Sequence, residues 1–425
     1  MAVLLDLTPL RVSRSYRALY LGYLLAGIGS MLTTVAIGLQ VYDLTRSTAA
    51  VGVVGLFALV PLVVMGLYGG SLVDHHDRRL VALVGQLVAW ATSLGCAAQA
   101  WLGLERVWLI YLLVACTNAA FGVISPARSS IYPRLLPREL LPAANALSVL
   151  AMNAMLMVGP LLAGVLIDRT GFAWTYTIDV VLTTAAIVGV ISLPALPPEP
   201  HDDADAPTRA GFRSVLDGLA FLATRPNVRM TFVVDICAMV LAQPRVLFPA
   251  AGAVILGGGA GTVGALSAAA AVGGLTAMLL SGPLGRVRRQ GLAILVAIVG
   301  WGLSIAAFGV ALLAAGELVP RRVALWCALA AMVGAGASDS VSAVFRTTIL
   351  QAATPDRMRG RLQGIFVVVV AGGPRLGELL SGVVAETIGE GRTALVGGLL
   401  CALAMLGCGL GVRGFVRYDA HHPTP

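Results

Sequence analysis

Long apolar stretches separated by short polar breaks dominate the chain. Runs of spanning length fall at 17–41, 49–73, 80–103, 107–128, 140–167, 172–194, 228–250, 262–285, 291–316, 323–346, 361–386 and 392–415. A helix crosses the hydrocarbon core with about 20 apolar residues. A backbone in lipid must satisfy its own hydrogen bonds, and runs this long exceed barrel strands. The pattern predicts an all-α membrane protein with twelve transmembrane helices. Several runs exceed the minimum length, which predicts tilt or ends that project from the bilayer.

One stretch breaks the pattern. Residues 194–227, PALPPEPHDDADAPTRAGFRSVLDGLAFLATRPN, begin rich in Pro and Asp and then turn amphipathic at Phe212, Val215, Leu216, Leu219 and Leu222. The first part reads as a solvated linker and the second as a short helix on the membrane surface. The predicted division is an N-terminal six-helix half at 1–194, a linker with its amphipathic helix at 195–227, and a C-terminal six-helix half at 228–425. The halves repeat. An offset of 218 residues pairs Arg128-Ser129-Ser130-Ile131 with Arg346-Thr347-Thr348-Ile349, Gly159 with Gly377 and Gly164 with Gly382. Two halves in one orientation predict a parallel pseudo-twofold repeat about the membrane normal. That is the architecture of a rocking transporter with its site where the repeats meet.

Composition excludes the main soluble classes. Apolar residues make up 58% of the 425 and charged residues only 12%, against roughly 25% charged in soluble chains. A cytosolic enzyme, a secreted disulfide scaffold and a nucleic-acid-binding domain are all ruled out. The net charge of +8 comes from 29 Arg and no Lys. With the N-terminus inside, 20 Arg fall in cytoplasmic segments, 6 in outer loops, and 3 within or at the edge of spans. The positive-inside rule then predicts a multi-pass protein of the inner membrane with both termini cytoplasmic. Arg11, Arg14 and Arg17 precede the first span, and no small-residue cleavage site follows, so that span reads as retained. The six Cys sit in apolar runs without CxxC spacing and read as small core residues, not metal ligands or disulfides. No metal or cofactor motif appears.

Three groups of residues carry candidate chemistry. The loop after the second span reads Gly70-Ser71-Leu72-Val73-Asp74-His75-His76-Asp77-Arg78-Arg79. It resembles the major facilitator signature G-x-L-x-D-R-x-G-R-R, with His75 and Asp77 departing from it. Asp74 can face a neighbouring helix N-terminus, and Arg78 and Arg79 can pair with acids, so Gly70, Asp74, Arg78 and Arg79 form a candidate inner gate. The fifth span carries Gly159-Pro160-Leu161-Leu162-Ala163-Gly164, similar to the G-P-x-x-G-G motif of drug antiporters, with Met155 at its upstream Gly. Pro bends the helix, and small residues let a neighbour approach.

The third group is charge within spans, where each charge costs about 3 kcal/mol or more without a cavity or partner. Asp235, Asp339 and Glu378 are candidates for proton coupling or cargo binding. Arg375 lies three positions before Glu378, on the same helical face, which favours a standing pair. Asp235 and Asp339 have no basic residue within four positions and rank ahead as proton carriers. Asp179 reads as hydrogen-bonded near a helix end, Arg346 as an interface residue like Arg128, and Arg245 as an outer-gate or snorkelling residue. The fourth span has Asn118 where drug antiporters place a coupling Arg.

Most of the chain resembles the exporter branch of the major facilitator superfamily, which holds the bacterial enterobactin exporter and related multidrug pumps. Narrower cues are Leu193 to Pro198, Arg245 to Ala250, and Pro355 to Arg361. The resemblance implies a secondary active exporter of a small amphipathic molecule, a siderophore or drugs, with cargo, protons and lipid as partners, in a monomer without nucleic acid or cofactor. The rivals are an importer or symporter of a small metabolite and a non-transporting membrane protein. No nucleophile–base set, metal cluster or phosphate loop supports an enzyme.

Overall fold

The computed structural model describes residues 6–197, 220–353 apart from 283, 285 and 286, and 356–419. Most of the expected linker, the first part of its amphipathic segment and Pro355 lie outside these residues.

Each of the twelve apolar runs overlaps a helix among the described residues. After a short helical turn at Thr8–Val12 come α1 (Arg14–Thr45), α2 (Thr48–His75), α3 (Arg78–Trp101) and α4 (Val107–Leu135). The helix Leu141–Ile191 is bent at Gly171, and its arms 141–170 and 172–191 are α5 and α6. There follow α7 (Pro226–Ile255), α8 (Gly259–Leu279), α9 (Gln290–Ala314), α10 (Arg321–Ala352), α11 (Asp356–Ile388) and α12 (Glu390–Gly411). Among the described residues ten helices, the bent one counted once, are long and apolar enough to cross a membrane.

Two glycines mark the same joint in each half. Gly171 between α5 and α6 has φ 80°, and Gly389 between α11 and α12 has φ 82°. Both ψ values are extended, at −178° and 160°. Side chains rarely adopt such backbone. The two positions lie 218 residues apart, the offset that aligns the halves in sequence.

The chain packs as two units. One takes the described residues up to Leu44 and from Phe57 to 197. The other takes Thr45–Leu56 and the described residues from 220 onward. The first turns of α2 thus belong with the second unit and its remainder with the first.

Lipid gives little hydrophobic drive between helices, so close packing of small residues has to hold them. In the first unit Tyr16, Leu19 and Tyr20 of α1 pack against Ile131 and Tyr132 of α4, Leu147 of α5 and Val190 of α6. The Tyr16 and Tyr20 hydroxyls donate to the Ala144 and Leu147 carbonyls at 3.3 and 3.2 Å. Large and small residues alternate between α1 and α5: a side chain at Gly159 would collide with Met31, and one at Gly27 with Met155. In the second unit Gly377 of α11 closes on the Met239 carbonyl of α7, and Gly302 and Gly309 of α9 close on α12.

Candidate functional site

The α2–α3 turn ties back to the end of α6. Asp77 caps α3, one carboxylate oxygen accepting from the Arg79 and Leu80 amides at 2.8 and 3.3 Å. Its other oxygen accepts from the Leu196 amide at 3.1 Å. The Arg78 amide donates to the Leu196 carbonyl at 3.1 Å. The Arg79 guanidinium donates to the Ile191 carbonyl at 2.7 Å. Arg78 is half-buried, and its Nε has no partner among the described residues. Gly70 and Asp74 lie near the end of α2, but their side chains are outside the described set. The motif reading left Asp77 without a role. An Asp just before an apolar helical run is an N-cap signal that could have found it.

A cleft opens in the first unit between α1, α3, α4 and α6. It encloses about 850 Å³ of empty space, with its open mouth included. Its wall is largely apolar, with Ser30, Gln86, Thr117, Arg128 and Asp179 among its polar members. Arg128 of α4 lies over the Tyr23 ring of α1, 3.6 Å from its centroid. Asp179 of α6 is 2% exposed. Its Oδ2 accepts from Thr33 of α1 at 2.6 Å and Ser93 of α3 at 2.8 Å, and its Oδ1 from Thr183 at 3.1 Å. The sequence reading of Asp179 as merely hydrogen-bonded named neither these hydroxyls nor the cleft.

Pro160 and Gly164 are buried on α5, and Gly159 faces α1. This group lines helix packing and contributes nothing to the cleft wall.

The acids of the second unit meet arginines. Arg346 of α10 is 4% exposed and Asp235 of α7 is 3% exposed, and the two form an ion pair. Arg346 also reaches Asp339, half-exposed on its own helix, at 3.4 Å. The reading of Arg346 as an interface residue is therefore corrected: it is buried and bridges two carboxylates. The absence of a basic residue near Asp235 and Asp339 held only along the sequence. One partner comes from another helix, and the other lies seven positions away.

Arg375 and Glu378 of α11 pair at 3.1 Å, as their spacing predicts. Glu378 is buried against Gly52 and Gly55 in the first turns of α2. Arg245 follows a break in α7 after Leu241 and lies within electrostatic reach of Glu378 and Arg375. Nearby, Glu386 accepts from the Ser47 hydroxyl and the Ala49 amide, and Glu390 accepts from the Thr48 hydroxyl at 2.7 Å. Carboxylates thus meet the start of α2, where the helix dipole favours negative charge. Among the described residues no group of three or more His, Cys, Asp or Glu could hold a metal.

Residues 5–417 match the family described as transmembrane secretion effector. The chain is 29% identical over 412 residues to the enterobactin exporter EntS of Shigella boydii, covering 95% of this chain and 94% of that one. It is 29% identical over 381 residues to EntS of Citrobacter koseri, covering 89% and 87%. Among solved structures, the nucleoside transporter NupG matches with a TM-score of 0.73 at 14% identity, covering 93% of this chain and 98% of that one. A D-xylose-proton symporter matches at 0.68 and 14%, covering 94% and 96%. Those two likenesses concern the fold. The family match spans nearly the whole chain, its helices are those of a multi-pass membrane protein, and the chain belongs to the transmembrane secretion effector family of major facilitator transporters.

Proposed function

We propose that the chain is a secondary active exporter that carries a small amphipathic molecule, a siderophore or drugs, across the cytoplasmic membrane by proton antiport. The observation that carries this reading is the 29% identity to enterobactin exporters along 95% of the chain. The cleft supports it, since small-molecule sites are concave, mostly apolar and supplied with a few polar groups. Arg128 over Tyr23 presents a cation beside an aromatic face, a surface suited to an anionic aromatic group on the cargo.

In this reading the halves 1–194 and 228–425, joined by the linker 195–227, rock to alternate access. Both termini are cytoplasmic. The α2–α3 turn, with Gly70, Asp74, Arg78 and Arg79, works as the inner gate, and Arg79 bonded to the end of α6 holds the turn in place. The Gly159-Pro160 segment sets the close contact of α5 with α1. Asp235, Asp339, Glu378 and Arg375 are the groups of the second half that bind protons or cargo. The protein acts as a monomer in lipid.

Everted membrane vesicles test the direction. Energised vesicles carrying the chain should accumulate enterobactin, and a protonophore should abolish the accumulation. Loss of preloaded enterobactin on energisation, with no accumulation, would instead identify an importer.

A further inference from the structure

Among the described residues, Asp179, Asp235, Asp339 and Glu378 are acids within spans and away from the helix ends. Three of them meet an arginine. Asp179 meets hydroxyls. Its described partners are Thr33, Ser93 and Thr183, from three helices. An arginine beside a carboxylate holds it ionised. A donating hydroxyl favours that form less strongly than a full charge, and it can also accept from the acid form. The ionised carboxylate accepts hydrogen bonds from all three hydroxyls. The acid form can donate a hydrogen bond to the Thr33 oxygen, 2.6 Å away, once that hydroxyl turns. The cage therefore satisfies both states, which is what a reversible proton site requires.

Three further observations set this cage apart from a plain structural bond. Asp179, Thr33, Ser93 and Thr183 all line the cleft, so a proton can come from water there. A second buried polar layer stands on the same three helices. Tyr176, one turn from Asp179 on α6, donates to Gln40 of α1 at 2.7 Å, and Gln40 and Gln99 of α3 bond to each other at 3.0 and 3.2 Å. Packing also reserves the position, since a side chain at Gly29 of α1 would collide with the Asp179 carboxylate. The titratable and charged groups facing Asp179 are Cys96 from α3 and Tyr176 from its own helix, with Arg128 of α4 and Tyr23 of α1 on the cleft wall. Thiol and phenol are ordinarily neutral where a carboxyl titrates, and Arg128 is engaged over Tyr23.

We propose that Asp179, in its cage of Thr33, Ser93 and Thr183, takes up and returns the coupling proton. On uptake an Oδ–H bond forms with a proton drawn from cleft water, and on release the same bond breaks. This rests on the reading of the chain as a proton-coupled exporter.

Two measurements on purified full-length protein test it. The first is infrared difference spectroscopy of the carboxyl stretch between acidic and alkaline buffer, without cargo. The wild type should show a titrating carboxyl band that Asp179→Asn loses and that Glu386→Gln, a change at an exposed carboxylate, keeps. Thr33→Val, which leaves the carboxyl but removes its shortest hydrogen bond, should move the pH at which the band appears. The second is transport of enterobactin in proteoliposomes. Asp179→Asn should lose gradient-driven movement, down to the protein-free background, while keeping exchange of labelled for unlabelled enterobactin. A band unchanged in Asp179→Asn, or gradient-driven transport intact in that variant, overturns the assignment. A wild type that moves enterobactin without regard to the pH gradient overturns the exporter reading and the coupling role with it, while the band still reports whether Asp179 titrates.

Discussion

Arg128 and Arg346 stand at equivalent places, 218 residues apart, and meet different partners. Arg346 is buried between Asp235 and Asp339. Arg128 lies over the Tyr23 ring at the wall of a cleft. At the same offset, the places of Asp235 and Asp339 are taken in the first half by Arg17 and Phe121, so Arg128 has no repeat acid to pair with. Asp179, a buried acid of the first half, is held by hydroxyls instead. Backbone joints are shared between the halves, as Gly171 and Gly389 show, while the charge chemistry has diverged. One half keeps an arginine shared by two carboxylates, and the other keeps a cation and an acid along a cleft wall.

The largest effect should come from removing the bridge. Arg346→Gln strands Asp235 in a buried site, and breaking such a pair costs about 3–5 kcal/mol. Arg128→Gln gives up a ring contact worth about 1–2 kcal/mol. Thermal denaturation in detergent should therefore separate the two variants clearly. Pairing Arg346→Gln with Asp235→Asn should recover much of the loss. Equal destabilisation by the two arginine changes would erase the contrast.

The joints should instead behave alike. Gly171→Ala and Gly389→Ala meet no neighbouring atom, so only backbone strain opposes them. Each should lose about 1–3 kcal/mol, measured by the same denaturation. A marked difference between them would show that the two joints are not equivalent.

The smallest effect concerns the start of α2. Glu386→Gln keeps an acceptor for Ser47 and Ala49 but removes the charge facing the helix dipole. The expected loss is about 0.3–1 kcal/mol, reduced at high salt. A loss unaffected by salt would mean that the charge plays no part.

The spans were legible in the sequence because lipid demands long apolar runs and leaves few ways to satisfy a backbone. The Arg375–Glu378 pair was legible because both partners share one helical face within a turn. The Arg346 network was not, because Asp235 reaches Arg346 from a different helix. The hydroxyl cage was hidden for a related reason. Thr33, Ser93 and Thr183 are unremarkable in their own runs and become a site only when α1, α3 and α6 converge on Asp179. Asp77 shows the reverse case, a local cap signal passed over while the loop was compared with a longer motif.

Proton movement in sealed proteoliposomes tests the central claim most directly. Vesicles holding the purified chain are loaded with enterobactin and diluted into cargo-free buffer of the same pH, while a trapped dye follows the lumen. Cargo leaving by antiport draws protons in, so the lumen should acidify, and a protonophore should erase the signal. Alkalinisation would identify a symporter, and enterobactin release without any pH change would contradict proton coupling.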